Sequence, residues 1–326
     1  MSNYTPRNQP GHNHGETSAE AELQARLAEI EAGFLDPYTF TSRTLIQATF
    51  PHSKREEREV VLANGNVIVT MYSSKGLPYG VYPRLIMCWL TREAIRRRDL
   101  PMNEARVIPL GSSLSQFMRE VGIGAASGGK EGNIHRLHHQ LTALFSTFIT
   151  VTTNDTTDVE DMPRSFQRID NTVVADSSKL WWDPKHPDQL GLQDSSVTLS
   201  ENFYRDLVSA AVPLNVSMLR QIRRSPLAID LYCWLTYRLS YHRGVTVVAW
   251  EQLRAQFGAG YPDTTRGRRN WKIKVTAALR KVMDAWPEAS VSVVDNGLML
   301  KPGAPSVAKN QQRELKKCDT TEDNPF

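Results

Sequence analysis

Cys88-Trp89-Leu90-Thr91 returns as Cys233-Trp234-Leu235-Thr236, and a recurrence of this kind constrains everything around it, because a duplicated unit must repeat its elements as well as its letters. Each copy lies in a run whose apolar residues recur at helical spacing. Downstream of each comes a short β-branched stretch, Arg106-Val-Ile-Pro-Leu110 or Val245-Thr-Val-Val-Ala249, and then a brief helical segment carrying Gln116-Phe117 or Gln256-Phe257. A Gly-rich turn closes both. A longer helix follows, opening with Asn133-Ile134 or Asn270-Trp271, and then Phe148-Ile-Thr-Val-Thr-Thr153 or Ala289-Ser-Val-Ser-Val-Val294. Helix, strand, helix, turn, helix and strand pair occur twice in the same order, which predicts a duplication.

That order describes a winged helix, a helix-turn-helix in which a β-hairpin lies beside the last helix. The fold expected is therefore α+β, with two tandem winged-helix domains over residues 37–182 and 195–302. A turn-rich linker, 183–194, would join them, with a C-terminal tail over 303–326. Residues 1–36 read as a flexible, acidic N-terminal arm: Thr17 and Glu20 have capping-box spacing, and Leu23, Leu27, Ile30 and Phe34 form one apolar stripe. Residues 57–74 read as a hairpin turning at Asn64-Gly65, and 81–98 as a helix ending in Arg96, Arg97 and Arg98. Asp295-Asn-Gly297 marks the tip of the second wing. In the first wing, a polar, acidic insert after Thr153 delays the return of strand character until Thr172, and acid at its tip would repel phosphate.

The segment 265–286, TRGRRNWKIKVTAALRKVMDAW, carries seven basic residues against one acid, Asp284. At 100° per residue, Trp271, Val275, Ala278, Val282 and Trp286 share one side as a core-facing stripe. Arg269, Asn270, Ile273, Thr276, Ala277 and Arg280 take the other. Such a face suits a major groove: arginine pairs bidentately with guanine, asparagine with adenine, and Ile or Ala meets a thymine methyl. Arg266, Arg268, Lys272, Lys274 and Lys281 fall at the N-terminus or the flanks, where phosphates would run. The matching helix of the first copy is expected to bury Ile134, Leu137, Leu141 and Phe145. It would present Asn133, Arg136, His139 and Gln140 as a weaker DNA contact or a surface for self-association.

Composition narrows the alternatives. An apolar fraction of 40% and a charged fraction of 23% are near globular averages, and 326 residues exceed one ordinary core. The net charge of +4 is uneven, since residues 1–36 hold two basic and six acidic groups and leave +8 to the rest. No run approaches a membrane span and no secretory leader is visible, so a cytoplasmic protein without membrane association is expected. Three widely spaced cysteines, Cys88, Cys233 and Cys318, make neither a disulfide framework nor a metal knuckle. His135, His138 and His139 lack the carboxylate and thiol partners of a metal site and read as a polar helix face. Gly122 to Gly129 lacks the Lys-Ser/Thr ending of a phosphate loop. Tyr232, Tyr237 and Tyr241 read as core, with no metal pair beside them for strand cleavage. No catalytic residue, metal or cofactor is therefore expected.

Several stretches resemble a known family. Gly76-Leu-Pro-Tyr-Gly80, Ile108-Pro-Leu-Gly-Ser-Ser-Leu-Ser-Gln-Phe-Met118, the Gly128-Gly-Lys130 turn and Leu199-Ser-Glu-Asn-Phe-Tyr204 are similar to plasmid replication initiators of the RepA type, and more distantly to the TrfA initiators. The likeness runs over most of residues 78–302. It implies binding to repeated double-stranded origin sequences (iterons), opening of adjacent A·T-rich DNA, and recruitment of host DnaA and the replicative helicase. It also implies autorepression and self-association as a dimer away from the origin. A winged-helix transcriptional repressor without a replication role is the alternative reading.

Overall fold

The computed structural model describes residues 37–47, 49–128, 132–159, 162–182, 185–189 and 195–308. The expected N-terminal arm, most of the Gly128-Gly-Lys130 turn, most of the linker and most of the C-terminal tail lie outside them. The described residues fall in one compact unit, 37–326, of mixed α/β architecture with antiparallel sheets.

The two repeated helices are α2 (Val81–Arg96) and α8 (Pro226–Tyr241). In the first copy, β4 (Val107–Pro109), α4 (Leu114–Val121) and α5 (Asn133–Phe145) follow, with α3 (Met102–Ala105) inserted before the strand. In the second, β10 (Thr246–Ala249), α9 (Trp250–Phe257) and α10 (Thr265–Ala285) follow. The recurring letters make recurring contacts. Trp89 meets Phe117 edge to face at 5.1 Å and 81°, and Trp234 meets Phe257 at 6.0 Å and 82°. Both phenylalanines are fully buried, so the duplication survives as one aromatic pair locking the first helix of each copy to its second.

The strand pairs diverge. In the second copy, β11 (Val291–Val294) and β12 (Gly297–Leu300) form a hairpin that β10 joins on the β12 side, giving the order β10-β12-β11. Val294 pairs with Gly297, so Asp295 and Asn296 are the turn, as expected. Gly297 is required by proximity: a Cβ there would lie 2.0 Å from the Val248 carbonyl oxygen. Gly297→Ala should therefore push β10 off the hairpin and cost about 1–3 kcal/mol, read as a lowered melting temperature; an unchanged one would show that the sheet yields freely.

In the first copy, β5 (Thr147–Val159) and β6 (Met162–Val173) pair continuously from Phe148–Val173 to Val159–Met162. The stretch expected as a polar insert is thus strand, with Asn154–Val159 paired against Met162–Gln167, because the ladder bonds are made by the backbone and do not require apolar side chains. This hairpin does not join β4. It adds to β2 (Glu59–Asn64) and β3 (Val67–Ser73) in the order β2-β3-β5-β6. The β2–β3 hairpin closes on Asn64–Val67, so its turn residues are Gly65, at φ 62°, and Asn66, one position beyond the expected pair.

Three pairings cross the sequence division expected at 183–194. The strand β8 (Ser196–Leu199) lies between β4 and β7 (Ala175–Lys179), and β9 (Ala211–Asn215) pairs with β1 (Tyr38–Ser42). Between them, α6 (Glu201–Ser209) is capped by Ser200 and packs on α2, where the Tyr204 hydroxyl donates to the Ala94 carbonyl at 3.0 Å. Two short helices complete the described elements: α1 (Arg43–Gln47) after β1 and α7 (Val216–Ile222) after β9.

A buried ion pair joins the two repeats. Arg84 of α2 is bidentate to Asp230 of α8, both bonds 2.7 Å, and His52 reaches Asp230 Oδ2 at 2.8 Å. Arg84 also donates to the carbonyls of Phe50 at 2.5 Å and Gly80 at 2.6 Å. Burial alone would raise the Asp230 pKa, but Arg84 and the His52 hydrogen bond outweigh it and hold the carboxyl below its ordinary value.

Candidate nucleic-acid interface

The helix α10 begins at Thr264, whose hydroxyl accepts from the Gly267 N–H at 3.0 Å and so satisfies one otherwise orphaned donor. Gly267 is dictated by crowding, since a Cβ would sit 2.1 Å from the Pro262 carbonyl oxygen. Past this tight entry, Trp271, Val275, Ala278, Val282 and Trp286 are all buried, as the periodicity predicts, and the two tryptophans are each 1% exposed. Trp271 packs on Tyr261 at 5.2 Å, and Trp286 stands edge-on to Tyr232 at 6.1 Å. The helix is thereby fixed in rotation, and its other side faces outward.

On that side Arg269, Asn270, Ala277 and Arg280 are exposed, Ile273 is 56% exposed, and Thr276 is half-buried. An isoleucine this open, set among cations, gains nothing from the core. Arg266, Lys274 and Lys281 are exposed, and with Arg269 and Arg280 they have no ion-pair partner among the described residues. Lys272 lies over the Trp250 ring at 5.4 Å. Trp250 in turn donates through its indole N–H to the Asp295 carbonyl and through its backbone N–H to that of Asn296, which ties the β11–β12 turn beside α10.

Arg268 differs from its neighbours. It bonds Asp263 at 2.9 Å and Glu251 at 3.1 Å, and Asp263 also meets Arg254 at 3.2 Å. These hydrogen bonds and charges hold the Asp263 carboxyl below, and the Arg268 guanidinium above, their usual values. Arg268 therefore joins α10 to α9, a role hidden in sequence because Glu251 stands 17 positions away.

The first copy gives a smaller outward set than expected. Gln140 is a correction: it is 3% exposed, and its carboxamide oxygen accepts from the Tyr79 N–H at 2.8 Å. That N–H belongs to the Gly76–Gly80 loop, whose two terminal glycines have φ of 86° and 75°, and it needs an acceptor inside the fold. Asn133 is half-buried and closes the preceding turn, accepting from the Ser127 N–H and donating to the Ala125 carbonyl. Arg136 and His139 are exposed. The His139 ring meets Tyr79 edge-on at 6.2 Å, and burial, Lys54, His135 and His138 lower its pKa. Among the described residues no cluster of three or more His, Cys, Asp or Glu could hold a metal.

The arginine run at the end of α2 is partly engaged within its own helix, because Glu93, itself nearly buried, bonds Arg92, Arg96 and Arg97. Tyr232 is core, but Tyr241 of the same helix is 49% exposed. Cys88 and Cys233 are buried and free, with burial pushing the Cys88 thiol up to about 12, so both behave as small apolar residues. No helix of the described residues is long and apolar enough to cross a membrane.

These features define a mixed α/β protein with a duplicated helical unit and one helix that is apolar toward the core and cationic toward solvent. The model of the family described as plasmid encoded RepA protein matches residues 77–252, more than half of the chain, and the chain belongs to that family. No curated protein matches it. Two solved structures are similar. The crystal structure of RctB domains 2-3 (RctB-155-483) has 12% identity and a TM-score of 0.43, covering 73% of this chain and 82% of that one. The selenomethionine derivative of domains 2 and 3 of RctB has 11% identity and a TM-score of 0.48, covering 80% and 96%.

Proposed function

We propose that this protein is a plasmid replication initiator that binds repeated double-stranded sites at its origin, with the second repeat acting as a winged helix that lays α10 in the major groove. Membership of the RepA family supports the initiator role. The observation that carries the DNA reading is the division of α10 into a sealed tryptophan side and an open side bearing Arg269, Asn270, Ile273, Ala277 and Arg280. The three-stranded sheet with its Trp250-anchored turn is what a wing beside a reader helix requires. Arg266, Lys272, Lys274 and Lys281 would meet phosphates, whereas Arg268 is engaged in holding the helix. Arg136 and His139 are the first repeat's remaining candidates.

The family reading extends to opening of the origin, recruitment of host DnaA and the replicative helicase, autorepression, and self-association as a dimer. The protein acts in the cytoplasm, and origin binding on this reading invokes neither catalysis nor a cofactor. Footprinting on the parent replicon tests this. Protection of direct repeats is expected, and protection confined to a single palindrome would favour the repressor.

A further inference from the structure

A cleft of about 900 Å³ opens between the β2–β3 turn and the C-terminal half of α8. It is lined by Arg43, Tyr237, Arg238 and Tyr241, with Gln47 and Asn64 on its walls, and no carboxylate lines it. Its volume falls in the range of small-molecule sites. The two guanidiniums are held by aromatic rings instead of acids. Arg43 lies over Tyr237 at 5.6 Å and Arg238 over Tyr241 at 6.0 Å, and the two rings are 5.1 Å apart. The Arg238 Nε is buried and has no hydrogen-bond acceptor. Its Nη1 donates to the Tyr241 hydroxyl at 3.2 Å, and with no carboxylate in the lining the two guanidiniums leave the cleft cationic, so that an anion seated between them would supply the missing charge.

We infer that this cleft binds a nucleoside phosphate, with the phosphate between Arg43 and Arg238 and the base against Tyr241. Tyr241 presents nearly half its surface to solvent, with Arg238 over its own ring and Arg43 over the neighbouring Tyr237, which is the pairing of stacking platform and charge that a nucleotide needs. The side chains of Gln47 and Asn64 have no hydrogen bond among the described residues and can meet the edge of a base. The site is separate from the outward side of α10, and the inference does not rest on duplex binding.

The same chemistry could come from a free nucleotide or from an unpaired strand, so the test titrates the full chain, without duplex, with ATP, AMP, inorganic phosphate and oligo-dT. ATP and AMP are expected to bind saturably, and Arg43→Gln, an exposed position, to weaken both by at least about tenfold at unchanged melting temperature. Tyr241→Ala should weaken AMP while leaving inorganic phosphate unaffected. Oligo-dT binding at least as sensitive to both variants would support the site and assign its source to a strand. No saturation by any probe up to about 10 mM, or equal binding by Arg43→Gln, would overturn the proposal. So would AMP binding that Tyr241→Ala leaves intact.

Discussion

Asp230→Ala is expected to lower the stability of the folded protein by about 3–5 kcal/mol, because it strands the Arg84 guanidinium at 5% exposure without its counter-ion. Coulombic attraction within such a pair roughly offsets the cost of desolvating it; removing one member leaves the cost uncompensated. Arg84 has a second duty, since it satisfies the carbonyls of Phe50 and Gly80. Replacing both partners by apolar residues, Arg84→Met with Asp230→Leu, should therefore recover only part of the loss, with about 1–3 kcal/mol remaining for the freed carbonyls. Urea denaturation of the single and double variants measures this. A single variant within about 0.5 kcal/mol of the parent would mean that water reaches the pair. The pH dependence has a definite sign. The Asp230 carboxyl sits below its ordinary value, so its contribution is complete above about pH 4 and is lost as pH falls through the folded-state value. Acid should loosen the contact between α2 and α8, while the aromatic pairs inside each repeat carry no such dependence.

The second large effect concerns recognition. Arg269→Ala or Asn270→Ala should each weaken cognate binding by about 1–3 kcal/mol and relax preference at one base pair. Lys272→Ala should weaken all sequences alike and reduce the salt slope by about 1. Arg268→Ala separates structure from reading: its ion pairs with Asp263 and Glu251 predict a change in stability more than in base preference. Binding across a panel of single-base variants at two salt concentrations distinguishes these outcomes. Normal cognate binding by both the Arg269 and Asn270 variants would remove α10 from the interface.

The repeat, the element order and the buried side of α10 were legible because each depends on spacing along one chain segment: tryptophans at 271 and 286 lie on one side of any α-helix, whatever packs there. Asp295-Asn296 as a turn was equally local. Gln140 was not, since a glutamine on a polar-looking face goes inward only when a distant loop presents an unsatisfied N–H, as Tyr79 does. The ion pair of Arg268 with Glu251 was hidden for the same reason, since that acid lies on α9.

Sequence by itself thus determined the order of helices and strands shared by the two repeats and the side of α10 that seeks the core, because periodicity and capping act over a few residues. Only the tertiary structure decided how the strands were shared. β5 and β6 join β2–β3 instead of β4, and β8 and β9 pair back across the expected linker. It also decided which charges are engaged, as with Arg84, Glu93 and Arg268. Strand partners and ion pairs are chosen by proximity between distant segments, and nothing in the local alternation of residues encodes that proximity.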